Sequence, residues 1–123
     1  MNIEEKIQAA LVASPPLLAV VPAARIRVWG DIQGEARPYI VHRAISANPQ
    51  YTHSGLTPLT EWVYQVSCFA DSASKAREAA MCVVAALNGT HGGATYFWVD
   101  EQSQYEAETR VHHIAEIFRV HAL

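Results

Sequence analysis

Apolar residues recur at helical spacing near the start of the chain: Ile3, Ile7, Ala10 and Leu11, with Glu4, Glu5, Lys6 and Gln8 between them. That period predicts a short amphipathic helix. Asn2 stands where an N-cap would, and the first-turn acids suit the positive end of the helix dipole. Ser14-Pro15-Pro16 ends it, because a residue before proline avoids helical angles. Leu17 to Val21 adds one helical turn starting at Pro16 and closed by Pro22. The period then changes to two. Arg25-Ile26-Arg27-Val28-Trp29 alternates polar with apolar, as a strand with one buried face does.

Gly30 to Ala36 is polar and flexible in composition. Pro38 opens a second strand, Tyr39 to Ser46, and fits a strand's first residue or an edge. Ala47 to Pro58 contains Asn, Pro, Ser, Gly and Thr and reads as a functional or mobile loop. The strongest strand signal is Glu61 to Ala70. Trp62, Tyr64, Val66 and Cys68 fall on one face, and Val63, Gln65, Ser67 and Phe69 on the other. Neither face is wholly polar, so the strand is central, or is covered by helix on one side and a neighbouring subunit on the other. Asp71 or Ser72 caps a helix running to about Leu87, with a stripe of Ala73, Ala76, Ala80, Val83, Val84 and Leu87. Asn88-Gly89 stops it. After the Gly92-Gly93 turn, Thr95 to Val99 is a strand, Asp100 to Gln104 a polar connection, and Val111 to Val120 a last long strand. Helix, three strands, helix, two strands is the order of an α+β domain. It implies a twisted, mostly antiparallel sheet with helices packed on one face, and the whole span 1–123 reads as a single domain.

The chain has 123 residues, half of them hydrophobic, so a core can form without disulfides or metal. Charged residues make up 17%, below the roughly 25% of average soluble domains. With several Trp and Tyr present, that leaves apolar surface to meet another protein, or else a well-filled core. A net charge of −3 argues against a general nucleic-acid surface. No basic region precedes a long apolar run at the start, and Pro15 to Ala24 is too short and broken to span a bilayer. A soluble, cytoplasmically made protein is expected, with Cys68 and Cys82 as buried free thiols.

Candidate chemistry is sparse. His42, His53, His91, His112, His113 and His121 are scattered without zinc-site spacing, and read as surface or interface histidines. Cys68 lies in a strand rather than at a helix start, where a thiol would be activated. Asp100, Glu101, Glu106 and Glu108 cluster late in the chain. Glu106 and Glu108 would share one face of an extended segment and could act as acid and base in a small hydrolase-like enzyme; an acidic, solvated hairpin is the plainer reading. Arg25, Arg27, Arg37, Arg43, Arg110 and Arg119 sit on strands or their ends, either paired with acids or placed at a subunit contact.

The ordered set of segments carries a resemblance. The first helix ends near Leu17-Leu18, the Arg25-Ile26 strand follows, and Arg37-Pro38-Tyr39-Ile40-Val41 enters the next. Val63-Tyr64-Gln65-Val66 then leads to the Ala73–Leu87 helix with Asn88-Gly89. Tyr105-Glu106-Ala107-Glu108-Thr109 precedes a strand ending Ile117-Phe118-Arg119-Val120. Over nearly its whole length the chain resembles the small phage tail-completion or tail-terminator proteins, a group of minor tail proteins of long-tailed phages and gene transfer agents. The resemblance implies a structural virion protein, assembled in the host cytoplasm, that forms a hexameric ring on the tail tube. Such a ring ends tube polymerisation and joins the tail to the head connector. Its implied partners are further copies of itself, the tail-tube protein and the head–tail connector. DNA passes through the ring without sequence-specific binding, and no membrane, catalytic residue, metal or cofactor is involved. Another head-completion or neck protein is the alternative. Aromatic residues are enriched at interfaces, which makes Trp29, Tyr51, Trp62 and Tyr64 candidate anchors, although the last two fit the core better. Trp29, Arg43, Tyr51 and His53 are assigned to the subunit contact.

Overall fold

The computed structural model describes residues 2–29 and 36–122, the side chains of residues 57 and 58 excepted. Most of the polar stretch expected over 30–36 lies outside the described residues. Helix α1 (Ile3–Val12) starts at a reciprocal cap. The Asn2 side-chain oxygen accepts from the Glu5 N–H at 2.8 Å, and the Glu5 carboxylate accepts from the Asn2 N–H at 3.4 Å. Ile3, Ile7 and Leu11 are buried. Helix α2 (Pro15–Leu18) begins on Pro15, one residue before the expected start, and buries Leu17.

Strand β1 (Ile26–Val28) is shorter than the alternation suggested. A 3₁₀ turn at Ala23–Arg25, closed by the Arg25 N–H on the Pro22 carbonyl, uses up the residues before it. Only Ile26 is buried. Strands β2 (Tyr39–Thr52), β3 (Gly55–Ala70), β4 (Gly89–His91), β5 (Ala94–Glu106) and β6 (Val111–Ala122) complete one six-stranded sheet in the order β1-β2-β3-β6-β5-β4. Among the described residues only the β1–β2 pair is parallel. This is the α+β, mostly antiparallel architecture the element order implied, and β3 is central.

Two expected connections are strands instead. Ala47 to Pro58 is not a loop: β2 and β3 pair through Asn48↔Glu61, Pro49↔Thr60 and Tyr51↔Leu56 up to a turn at His53-Ser54. Gly55, at φ +111, takes the backbone angle that closes this turn. Pro49, which has no N–H to give a ladder, is tolerated because β2 is outermost there and the pairing shifts register beside it. Asp100 to Gln104 is likewise no connection. A register shift between Trp98 and Asp100 re-phases β5, which then pairs with β6 as far as Glu106↔Val111. Between the Asn88-Gly89 helix stop and the Gly92-Gly93 turn, Gly89–His91 forms β4, an extra strand absent from the expected order.

Alternation along the strands gives the sheet one buried face. Tyr64, Val66, Cys68 and Ala70 of β3 lie with Ile114, Phe118, Val120 and Ala122 of β6 in one core that α1, α2 and helix α3 (Ala73–Leu87) cover. Ser72 caps α3 through its hydroxyl and the Lys75 N–H at 3.2 Å. The buried stripe is Ala76, Ala79, Ala80, Val83 and Leu87. Ala79 belongs to it and Ala73, which is exposed, does not. Cys68 is buried, but Cys82 is only half-buried, so the second thiol departs from expectation.

Candidate assembly surfaces

The β2–β3 hairpin outruns the rest of the sheet. Among the described residues, strand β6 ends against it at Thr60↔Ala122, and the β2–β3 ladder continues for several residues without a third strand. From Ala44 to Thr60 the sequence holds no Asp, Glu, Lys or Arg. Tyr51 and Leu56 face each other across this arm and are 71% and 65% exposed. A bare two-stranded hairpin is marginally stable in water, so an uncharged arm with an exposed apolar pair is suited to packing on another surface. His53 lies in the turn at its tip and is exposed.

Trp29 and Arg43 occupy a different place. Trp29 follows β1, donates its N–H to the His42 carbonyl at 2.9 Å, and is 63% exposed. The Arg43 guanidinium carbon sits 5.3 Å from the centre of the Trp29 ring, a cation–π contact. Arg43 and Tyr51 are about 25 Å apart along β2 at the usual rise per residue. The four residues assigned to the contact thus fall into two pairs, one at the edge of the sheet and one at the arm tip. Of the other aromatic candidates, Tyr64 is fully buried and Trp62 half-buried against the core.

Sequence reasoning missed a third apolar surface. Phe97, Trp98 and Val99 are each close to half exposed where β5 passes beyond β4. The Trp98 indole N–H donates to the Asp100 carbonyl at 3.1 Å, and its backbone N–H to the Asn88 side-chain oxygen at 3.3 Å. An unbroken apolar run after a Gly-Gly turn was the available signal, but it marks core and surface strands alike.

Glu106 ends β5 and Glu108 lies in the following turn, and both are exposed on an open hairpin. A cavity of about 230 Å³ bordered by Phe69, Tyr105, Glu106 and His113 does not include Glu108. That cavity does not bring the two carboxylates together.

The groups with perturbed ionisation are buried elsewhere. His42, expected at the surface, is fully buried in a chain of hydrogen bonds. The Gln8 amide N–H donates to the Ile26 carbonyl at 2.8 Å, which turns its oxygen toward His42 Nε2 at 2.7 Å. That oxygen can only accept, so Nε2 carries the proton and Nδ1 accepts from the Tyr64 hydroxyl at 2.6 Å. The network binds α1, β1, β2 and β3 together, and burial keeps the ring neutral. Burial lowers the His42 pKa to about 4 and raises that of the Tyr64 phenol.

Glu116 is fully buried on the core face of β6, directly across from Glu101 of β5. Neither of its oxygens has a hydrogen bond of normal geometry, although Glu101 and Trp98 lie near enough to act on its charge. Burial first, then the neighbouring Glu101, pushes its carboxyl up to about 8. Glu101 stays ionised because Arg77, reaching down from α3, bonds to it and lowers its pKa. An acid in phase with Ile114, Phe118 and Val120 was the sequence signal for Glu116.

A family described as Tail completion protein gp17 matches residues 5–122. No match is found among curated proteins. Among solved structures, one chain of a virion of a native gene transfer agent particle shares the fold, with a TM-score of 0.81 at 16% identity. The match covers 97% of this chain and 92% of that one.

Proposed function

The chain belongs to the family of the tail completion protein gp17, and we propose that it is a structural component of a phage-type tail. In this reading it caps the tail tube, ends tube polymerisation and joins the tail to the head connector as a hexameric ring. The ring forms from head-to-tail contacts between copies, with Trp29, Arg43, Tyr51 and His53 at the contacts. Its location in the virion matches that of the fold neighbour, which is part of a gene transfer agent particle. The reading is carried by the uncharged β2–β3 arm, whose exposed Tyr51–Leu56 pair leaves apolar area for a partner to cover.

The test is a Tyr51→Ser/Leu56→Ser variant, followed by mass measurement, negative-stain imaging and binding to isolated tail-tube ends. Both side chains are already in water, so the variant keeps the wild-type circular dichroism and Tm. It loses ring assembly and tube-end binding. A wild-type chain that neither assembles nor binds tube ends overturns the proposal. A variant that assembles as the wild type does removes the arm from it.

A further inference from the structure

The two outer flanks of the sheet differ in charge. β1 covers β2 only as far as His42, and β4 covers β5 only as far as Tyr96. Among the described residues no strand lies outside β2 or β5 past those points. From Ala23 to Thr60 the β1–β2 flank carries Arg25, Arg27, Arg37 and Arg43 against two carboxylates, Asp31 and Glu35, which lie outside the described residues; Arg43 is exposed and braced on Trp29. From Ala94 to Arg110 the opposite flank carries Asp100, Glu101, Glu106 and Glu108 against a single arginine, Arg110, with Glu101 paired to Arg77 of α3. Each flank also presents aromatic surface, Trp29 on one and Phe97-Trp98 on the other.

We infer that copies of this chain meet flank to flank, with the Arg43–Trp29 flank of one against the Asp100–Glu106 flank of the next. The inference rests on the ring reading and names the surfaces that close the ring. A two-fold contact would set like flanks together, arginine against arginine or carboxylate against carboxylate, and like charges across an interface are repulsive. A heterologous contact sets opposite charges together and repeats around an axis. The charge layout therefore favours the ring and disfavours the symmetric dimer, so discrimination comes from repulsion as much as attraction. Aromatic groups beside the charges supply the apolar area that exposed ion pairs alone lack.

The test uses two single-flank variants, Arg43→Glu and Asp100→Lys/Glu106→Lys, and the triple variant that combines them. All the altered side chains are exposed, and circular dichroism checks that each variant is folded. Assembly is read by mass photometry and sedimentation at low and high salt. Each single-flank variant raises the concentration for half-assembly by about tenfold or more. The triple variant, and an equimolar mixture of the two single-flank variants, recover assembly because opposite charges again meet at every contact. Wild-type assembly weakens as salt rises. If the wild type assembles but the single-flank variants do so equally well, or the mixture fails to recover, this inference is overturned and the ring reading stands. If the wild type never assembles, even with tube ends present, both fail.

Discussion

Acidification should act on this fold first through His42. The ring is fully buried and hydrogen-bonded through both nitrogens in its neutral form, and protonation would place a positive charge away from water with no carboxylate partner among its bonded neighbours Gln8 and Tyr64. Unfolding returns the imidazole to water and to its ordinary pKa of 6.5, while in the folded chain it is held at about 4. The unfolded state then binds more protons than the folded state throughout that window. Stability falls as pH drops through 6.5 and stops falling below about 4. At about 1.4 kcal/mol per pH unit the full window is worth about 3 kcal/mol, a large share of the 5–15 kcal/mol typical of a domain. The assay is urea unfolding at fixed protein concentration from pH 4 to 7.5, wild type against His42→Gln. The substitution has its own constant cost, so the difference between the two curves isolates the titration. That difference should shrink by about 3 kcal/mol as pH falls from 7 to 4. Parallel curves would refute the buried neutral imidazole. Because Gln8 links this network to the Ile26 carbonyl, the same acidification should loosen β1 and, with it, the Trp29 that braces Arg43.

Glu116 works in the opposite sense. Its folded pKa of about 8 lies above the ordinary 4.5, so its contribution is complete below 4.5 and is lost as pH rises through about 8. Glu116→Gln should remove the wild-type decline in Tm between pH 5 and 9, and an unchanged slope would show that the carboxyl is already paired. The thiols should separate as well. Burial raises both pKa values, but Cys68 is fully enclosed and Cys82 half-buried, so a thiol reagent should label Cys82 slowly in the folded chain and both residues in urea. Equal labelling rates in the folded chain would contradict the placement of Cys68.

Elements with strong local periodicity are legible in the spacing of residues alone. Asn2, Ile3, Ile7 and Leu11 define a capped, one-sided helix, and Ser72 to Leu87 defines another, because cap chemistry and the 3.6-residue repeat are properties of neighbours in sequence. The alternation from Trp62 to Ala70 marks a central strand for the same reason. The polar stretches 47–58 and 100–104 mislead because composition reports exposure, and these strands are exposed. Their extended form comes from ladders with residues elsewhere in the chain, Pro49 with Thr60 and Gln102 with Ala115, and from a bulge that re-phases β5.

The candidate surfaces divide along the same line. Tyr51 and His53 are proposed as contacts from their place in a polar segment, which is an arm rather than a loop. Phe97, Trp98 and Val99 look like core in sequence. They are surface because Phe97 alternates away from buried Tyr96 and because the register shift after Trp98, beyond the end of the three-residue β4, leaves Trp98 and Val99 uncovered. No spacing in the chain connects Gln8 to His42 and Tyr64, or Arg77 to Glu101 and Glu116. Those groups meet because α1 and α3 lie across strands drawn from distant segments, and a buried polar atom takes whatever partner the packing brings within about 3 Å. Local order is written in neighbouring residues; which side chains share a low-dielectric space, and which strand edges stay open, depends on how the layers close over one another.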